Sequence, residues 1–257
     1  MRVKLRGTPV DILSAEKTIE RIEAAIATRS RLQHVALNVA KFVSLNSNAE
    51  LRDDVTSSDI VGIDGMGIVL ALKIMGHRDA TRVAGVDLLD DALSLCAKKG
   101  YRPFFLGAKA DVVEVAAQVA LAKHSGLNFA GFHDGYFNVE QEDEICAKIR
   151  TSQADCLFIG MPTPRKERLL AKWRHLLDVP FIMGVGGSFD VLAGRVKRAP
   201  IWMRKWGLEW TFRIYQEPGR MWWRYAWTNT IFTFLLLDIA AKRLWQLINF
   251  SSGKVSS

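Results

Sequence analysis

The feature that most restricts this chain is an alternation. From residue 9 to about residue 195, short apolar or β-branched runs trade places with stretches of helical periodicity. Runs at His34–Leu37, Asp59–Ile63, Pro103–Leu106, Asn128–Phe132, Cys156–Ile159 and Phe181–Val185 read as strands. An opening helix, Ala15–Thr28, carries Ile19, Ile22, Ala25 and Ile26 on one stripe. Further helices are predicted at Ile68–Met75, Leu88–Lys99 (closed by Gly100), Ala110–Lys123, Glu140–Arg150 and Arg165–Leu177. Parallel neighbours need a crossover, and helical crossovers cover the faces of the sheet. The expected fold is therefore α/β and Rossmann-like, a largely parallel sheet with helices on both faces. Ligands of such sheets sit outside the carboxyl ends of the strands. That places the candidate residues just after the runs: Asn38, Asp64, Gly107, Asp134 to Tyr136, Gly160 to Lys166, and Gly184 to Asp190.

The alternation stops near Gly194, which divides the chain into an α/β domain, 1–194, and a mainly helical appendage, 195–257. The appendage differs in chemistry. Between Arg195 and Arg224 it holds eight basic residues against Glu209 and Glu217, and seven of the eight tryptophans lie beyond residue 200. The net charge of +8 points to anionic partners: nucleic acid, acidic lipid headgroups or a phosphorylated substrate. Cys96, Cys146 and Cys156 lack metal-binding spacing and read as reduced core residues of a cytosolic protein. The start, MRVKLRGTPVDIL, lacks the apolar core of a signal peptide. The nearest thing to a membrane span, Ile231–Leu237, is interrupted by Thr233, followed by Asp238 and too short. The polar tail Ser251–Ser257 is expected to fray.

Each motif admits a plain reading beside a functional one. Asp64, in Asp64-Gly65-Met66-Gly67, is either an Asx-turn or cap residue or a carboxylate placed to take a proton from a substrate hydroxyl. The turn Gly184-Val185-Gly186-Gly187, with Ser188 expected to cap a short helix Phe189–Ala193, suits a diphosphate or a tight structural turn. It is neither a dinucleotide fingerprint, since position 189 is Phe189, nor a Walker loop. Arg165 and Lys166 at a helix start are a hint of anion binding or else a solvated cluster with Glu167. Asp87, Asp90 and Asp91 read as helix-start capping residues rather than a metal site, and the five histidines show no metal spacing. The Trp202, Trp206, Trp210 stripe is either core or an interfacial surface, as is the Trp222, Trp223, Trp227 group.

Taken together, several of these motifs resemble the WecG/TagA/CpsF family of bacterial glycosyltransferases. The matching pieces are Asp64-Gly65-Met66-Gly67-Ile68-Val69, Arg82-Val83-Ala84-Gly85-Val86-Asp87-Leu88 and Phe104-Phe105-Leu106-Gly107. They continue with Gly160-Met161-Pro162 (plus Pro164 and Glu167) and Gly184-Val185-Gly186-Gly187-Ser188-Phe189-Asp190. Arg198-Ala199-Pro200, Gly207-Leu208-Glu209-Trp210 and Glu217-Pro218 with Arg220 complete the series. The resemblance implies transfer of a sugar from a UDP-sugar to a polyprenyl-diphosphate-linked saccharide at the cytoplasmic membrane face, with inversion and with neither metal nor cofactor. It implies Asp64 as the base, Arg82 on the donor diphosphate, Asp190 on the nucleotide with Tyr136 in the same pocket, and Asn38 as a further substrate-binding residue. Arg213, Arg220 and Arg224 would correspond to the arginines of the family's appendage. Two positions depart from the pattern: Ala36 stands where many members have threonine, and Lys166 where they often have glutamine. The first removes a contact attributed to that threonine; the second bears on donor contacts and on which sugar is taken.

The residues expected to bind substrate are thus Asn38, Arg82, Tyr136, Lys166, Gly184, Gly186, Gly187, Asp190 and Arg224, with Asp64, Arg213 and Arg220 as catalytic. The appendage is expected to dock peripherally on the cytoplasmic membrane and close the site. No nucleic-acid partner is expected, and a homo-oligomer is left open. The rival is a non-enzymatic basic module that binds nucleic acid or lipid headgroups through its tryptophan-arginine tail. It gives no reason for Asp64 and the glycine turn to occur together.

Overall fold

The computed structural model describes residues 1–252, apart from the side chains of Arg220 and residues 246–252. The expected frayed tail thus lies outside the described residues, save for the backbone of Ser251 and Ser252. An antiparallel hairpin that the alternation does not announce opens the chain: β1 (Arg2–Leu5) and β2 (Thr8–Asp11). Its two-residue turn, Arg6-Gly7, has positive φ at both positions, 47° and 87°, which suits the twist of a tight hairpin. Buried Asp11 accepts from the Arg2 guanidinium at 2.7 Å and from the Val61 amide at 2.8 Å, clamping the hairpin to the body.

Helix α1 (Ala15–Ala27) is capped by Ser14 and buries Ile22, Ala25 and Ile26. Then follow β3 (Leu32–Leu37), α2 (Val39–Ser44), α3 (Ala49–Ser57), β4 (Ile60–Ile63), α4 (Met66–Ile74), α5 (Gly85–Lys99), β5 (Pro103–Gly107) and α6 (Ala110–Lys123). The domain continues with β6 (Gly131–His133), α7 (Glu142–Thr151), β7 (Cys156–Gly160), α8 (Arg165–Trp173), β8 (Phe181–Gly184) and α9 (Ser188–Leu192). Strands β3 to β8 form one parallel sheet in the order β4-β3-β8-β7-β5-β6. The strands alternate between its faces. Phe105, Cys156 and Phe158 pack with α1, α5, α6 and α9, whereas Phe104, Leu106, Leu157 and Ile159 pack with α7 and α8. A third cluster joins β3 and β4 to α2, α3 and α4. The Rossmann-like α/β class is as expected.

Some boundaries differ. The segment between β3 and β4 holds two short helices, α2 and α3, started by Asn38 and Asn48 as caps. Edge strand β6 pairs with β5 over Gly131–His133 only, three residues later than the run at 128 begins. Helix α5 starts at Gly85, and α8 ends at Trp173, where Leu176 and Leu177 turn back onto its carbonyl.

After Gly194 come α10 (Ile201–Lys205), α11 (Glu209–Gln216) and α12 (Pro218–Ser252). At 35 residues α12 is roughly 50 Å long, yet no helix among the described residues is long and apolar enough to cross a membrane. It packs instead along α2 and α4. Phe232 is buried edge-on against Phe42, with ring centroids 5.9 Å apart, and Ile239 joins the same cluster. The contact needs Gly67: a Cβ there would lie 2.5 Å from Val39 and 3.0 Å from Phe232. The appendage is therefore built onto the α/β domain along α12.

Candidate active site

Asp64 leaves the carboxyl end of β4. Its amide and that of Gly65 both donate to the Leu37 carbonyl, which locks the turn to the end of β3. The carboxylate is held from two sides. Oδ1 accepts from the Gly85 amide in the first turn of α5 at 3.1 Å and lies 3.9 Å from the Arg82 guanidinium. Arg82 also donates to the Asp64 backbone carbonyl at 2.5 Å. The Gly85 amide and the Arg82 guanidinium together fix the Asp64 side chain at the sheet's carboxyl edge. It is not buried away: a quarter of the side chain stays exposed. Asn38 lies next door at the end of β3, where its side-chain oxygen caps α2 by accepting from Lys41 at 3.0 Å.

The appendage reaches this carboxylate through Arg82. The guanidinium that braces Asp64 also pairs with Glu209, at the start of α11, at 2.5 Å, with both side chains largely buried. A second tie runs from Arg198 to Asp87 as a bidentate pair at 2.5 and 2.6 Å. Arg198 holds the Asp87 carboxyl below its ordinary pKa. Asp87 thus lies in the first turn of α5 as expected but pairs with the appendage instead of capping. Asp90 and Asp91 lie beyond that turn, Asp90 pairing with Lys123. Lys197 and Gln216 exchange hydrogen bonds that fix the loop before α10 to α11.

The glycine turn after β8 lies two strands inward from Asp64, roughly 10 Å at sheet spacing. Gly186 has φ of 53°, and nothing lies within 4 Å of where its Cβ would be, so this backbone is open to a ligand. Gly187, not Ser188, is the cap of α9; Ser188 is its first residue, and its hydroxyl donates to the Val185 carbonyl at 2.7 Å. Asp190 lies in the first turn of that helix. Gly184 has a packing role: a Cβ there would approach Lys166 to 2.9 Å. Lys166 crosses it, buried, to pair with Asp54 at 2.7 Å and Glu167 at 3.3 Å. Its neighbour Arg165 donates to the Phe137 carbonyl and stacks over the Phe137 ring. Lys166 is thus engaged by carboxylates of the protein itself, and half-buried Arg165 by the Phe137 carbonyl and ring. Half-buried Lys41 donates to the Ala36 carbonyl, and desolvation followed by the Lys166 charge pushes its pKa down to about 8.

The other expected residues are less close. Tyr136, 72% exposed, follows the far edge strand β6, five strand spacings or roughly 24 Å from β4 at sheet level. Arg213 is half-buried on α11, and Arg224 is exposed with its guanidinium 6.0 Å from the Tyr225 ring. Among the described residues no hydrogen bond or ion pair joins either to Asp64. The Arg220 side chain lies outside the described residues. The sequence reading missed the roles of Glu209 and Arg198. Glu209 had a signal, since it is one of two acids in a stretch of eight bases, and an acid so placed has a specific partner. The tryptophan stripes are exposed surface, not core: Trp206 is 78% and Trp223 75% accessible. The three cysteines are buried and free, with Cys96 and Cys156 sulfurs 3.6 Å apart.

A fixed carboxylate at the carboxyl edge of a Rossmann-like parallel sheet, with an open glycine turn two strands inward and a helical, arginine-bearing C-terminal region tied to it through Arg82, defines the class: a Rossmann-like α/β protein. The chain belongs to the glycosyl transferase WecG/TagA/CpsF family, whose pattern it matches over residues 3–246. It is 34% identical over 168 residues to an N-acetylglucosaminyldiphosphoundecaprenol N-acetyl-beta-D-mannosaminyltransferase of Bacillus subtilis, 65% of each chain. A protein of the same name from Bacillus spizizenii is 36% identical over 169 residues, 66% of this chain and 64% of the relative. The match thus spans just under two thirds of each relative's length.

Proposed function

We propose that this protein is an inverting glycosyltransferase that moves a sugar from a UDP-sugar to a polyprenyl-diphosphate-linked saccharide at the inner face of the cytoplasmic membrane, in cell-surface polysaccharide assembly. The relatives' names supply the acceptor class, a saccharide on diphosphoundecaprenol, and suggest an N-acetylhexosamine as the sugar moved. Asp64 takes the proton of the acceptor hydroxyl as that oxygen attacks the anomeric carbon. The new C–O bond forms on the face opposite UDP, the bond to the UDP oxygen breaks, and UDP leaves with the electron pair. Charge grows on the leaving diphosphate. Arg82, the amides of the glycine turn and the appendage arginines 213, 220 and 224 are the groups that would stabilise it, as preorganised donors in a partly closed site. Metal independence is part of the proposal; among the described residues no group of three or more His, Cys, Asp and Glu side chains is gathered to hold an ion.

The observation that carries this reading is the bracing of Asp64 by Gly85 and Arg82 while Glu209 brings the appendage onto the same arginine. A turn or cap aspartate needs no such second layer. The test is UDP release across a panel of UDP-sugars with a prenyl-diphosphate-linked N-acetylglucosamine acceptor, followed by proton NMR of the product. One sugar turned over with an inverted anomeric centre is expected; retention of configuration would overturn the single-displacement chemistry.

A further inference from the structure

The Ile63 carbonyl and the Asp64 amide belong to one peptide unit and point opposite ways. The amide bonds to Leu37 of β3, so the carbonyl faces the open edge of the sheet, where it accepts from the Val83 amide at 2.8 Å. The strip around Val83 is therefore on the far side of Asp64 from the glycine turn. There a cavity of about 380 Å³ opens between this strip and α10, lined by Met66, Arg82, Ala84, Asp87, Ile201, Arg204 and Lys205. A larger hollow of about 500 Å³ lies at the amino end of the sheet, but Arg29 there already pairs with Asp155 and Asp178. The cavity beside Asp64 is different. Asp87 is paired with Arg198 and Arg82 with Glu209, whereas neither Arg204 nor Lys205 forms a direct ion pair among the described residues, Arg204 acting on Asp87 only at longer range. The Nε of Arg204 is buried with no hydrogen-bond partner, an arrangement that is costly unless something polar completes it. Ile201 of this lining and Trp202, next to it on α10, are 62% and 58% exposed.

From this geometry we infer that the cavity is a diphosphate subsite for the lipid-linked acceptor, with Arg204 and Lys205 as its ligands and Ile201 and Trp202 receiving the first isoprenoid units. The inference rests on the transferase reading and deepens it. A general base takes its proton from the acceptor hydroxyl, which lies between Asp64 and the anomeric carbon. With the donor sugar on the inward side, over the glycine turn, and its diphosphate within reach of Arg82, the rest of the acceptor extends past Asp64 to the outer part of the cavity, at Arg204 and Lys205. Two unpaired cations match a diphosphate ester, and an apolar rim beside them matches a prenyl chain but not a nucleoside.

The test is a set of calorimetric titrations on the full chain and on Arg204→Gln, Lys205→Gln and the double variant, using farnesyl diphosphate, inorganic pyrophosphate and UDP as probes. Loss of a charge-assisted hydrogen bond corresponds to roughly a 10- to 100-fold change in affinity. Farnesyl diphosphate should weaken by that factor in Arg204→Gln and further in the double variant, with UDP within twofold throughout. Unchanged UDP binding also certifies the fold, and Lys205, exposed on α10, gives a second variant with little structural burden. Equal weakening of UDP would assign the cavity to the donor and overturn the inference. Pyrophosphate binding as tightly as farnesyl diphosphate would remove the lipid from it. No change in any titration would also sink it. None of these readouts needs turnover, so failure of the transfer reaction itself would show separately, as absent UDP release.

Discussion

The α/β domain and the appendage spend their large hydrophobic side chains in opposite ways. Phe104, Phe105, Phe158, Phe181 and Phe189 are all fully buried in the sheet layers, whereas Trp202, Trp206, Trp222, Trp223, Trp227 and Trp245 are all more than half exposed. Phenylalanine has nothing polar to satisfy, so it fills a dry core. Tryptophan joins an apolar body to an N–H and suits a boundary between apolar and wet surroundings. The charges divide likewise. In the domain, Asp54, Lys166 and Glu167 are buried together, and Asp64 is braced; in the appendage Arg204, Lys205 and Arg224 are left without ion-pair partners among the described residues. One region is organised to hold a carboxylate still, the other to present cations and aromatics outward. The two meet at Arg82.

The sharpest way to break that division is Asp64→Asn, which keeps the turn but removes the base. Transfer should fall by roughly two to four orders of magnitude, the usual scale of general-base catalysis, with UDP affinity by calorimetry nearly unchanged. Near-parental turnover would return Asp64 to a turn residue and leave the domain with no catalytic part.

Glu209→Gln probes the meeting point. It leaves the shape of α11 intact but takes the counter-charge from Arg82, so Asp64 loses the fixed position of its bracing guanidinium. An approximately tenfold to hundredfold drop in kcat/KM is expected, smaller than that for Asp64. The melting temperature should stay within a few degrees, because Arg82 keeps its bond to the Asp64 carbonyl. A variant with full activity would show that the appendage only rests on the domain.

Trp222→Ser with Trp223→Ser sharpens the contrast on the outer side. Both rings are exposed, and withdrawing two large apolar groups from a membrane interface should weaken binding to anionic vesicles by about tenfold or more in co-sedimentation. The fold should be unaffected. Phe232→Ala, on the inner side of the same helix, should do the reverse: folding stability lowered by the roughly 3–5 kcal/mol that losing a buried phenylalanine costs, read in denaturant unfolding, with vesicle binding kept. Unaltered vesicle binding by the tryptophan variant would make the exposed aromatics something other than a membrane surface. The smallest effect expected is that of chelation: saturating EDTA should leave the initial rate within about twofold. Abolition with rescue by magnesium or manganese would show that cations of the protein do not suffice.

The parallel sheet was legible because strands buried on both faces read as apolar runs bounded by turns, as in Cys156–Gly160. The hairpin β1–β2 was not, since four-residue strands carrying Lys4 and Pro9 have little periodicity and depend on the buried Asp11–Arg2 clamp. Asp64 and Arg82 stood out by motif, and the structure joins them. Lys166 did not follow the same rule. Its charge looked available at a helix start, and only tertiary contact with Asp54, over a hundred residues away, shows that it is engaged. The appendage was legible as basic and aromatic, but its docking was not, because Arg82–Glu209 and Phe42–Phe232 are long-range pairs with no local signature.

The most direct test of the central claim, that a fixed base in the domain and a basic flap from the appendage act on one transfer, is the rate of UDP release with and without the lipid-linked acceptor. It is made on the full chain bound to anionic vesicles, with the UDP-sugar that the panel selects. Release that is slow alone, rises by at least two orders of magnitude with acceptor and matches product formed is the expected result. Release at one rate regardless of acceptor, or no release alongside salt-sensitive nucleic-acid binding, would contradict it.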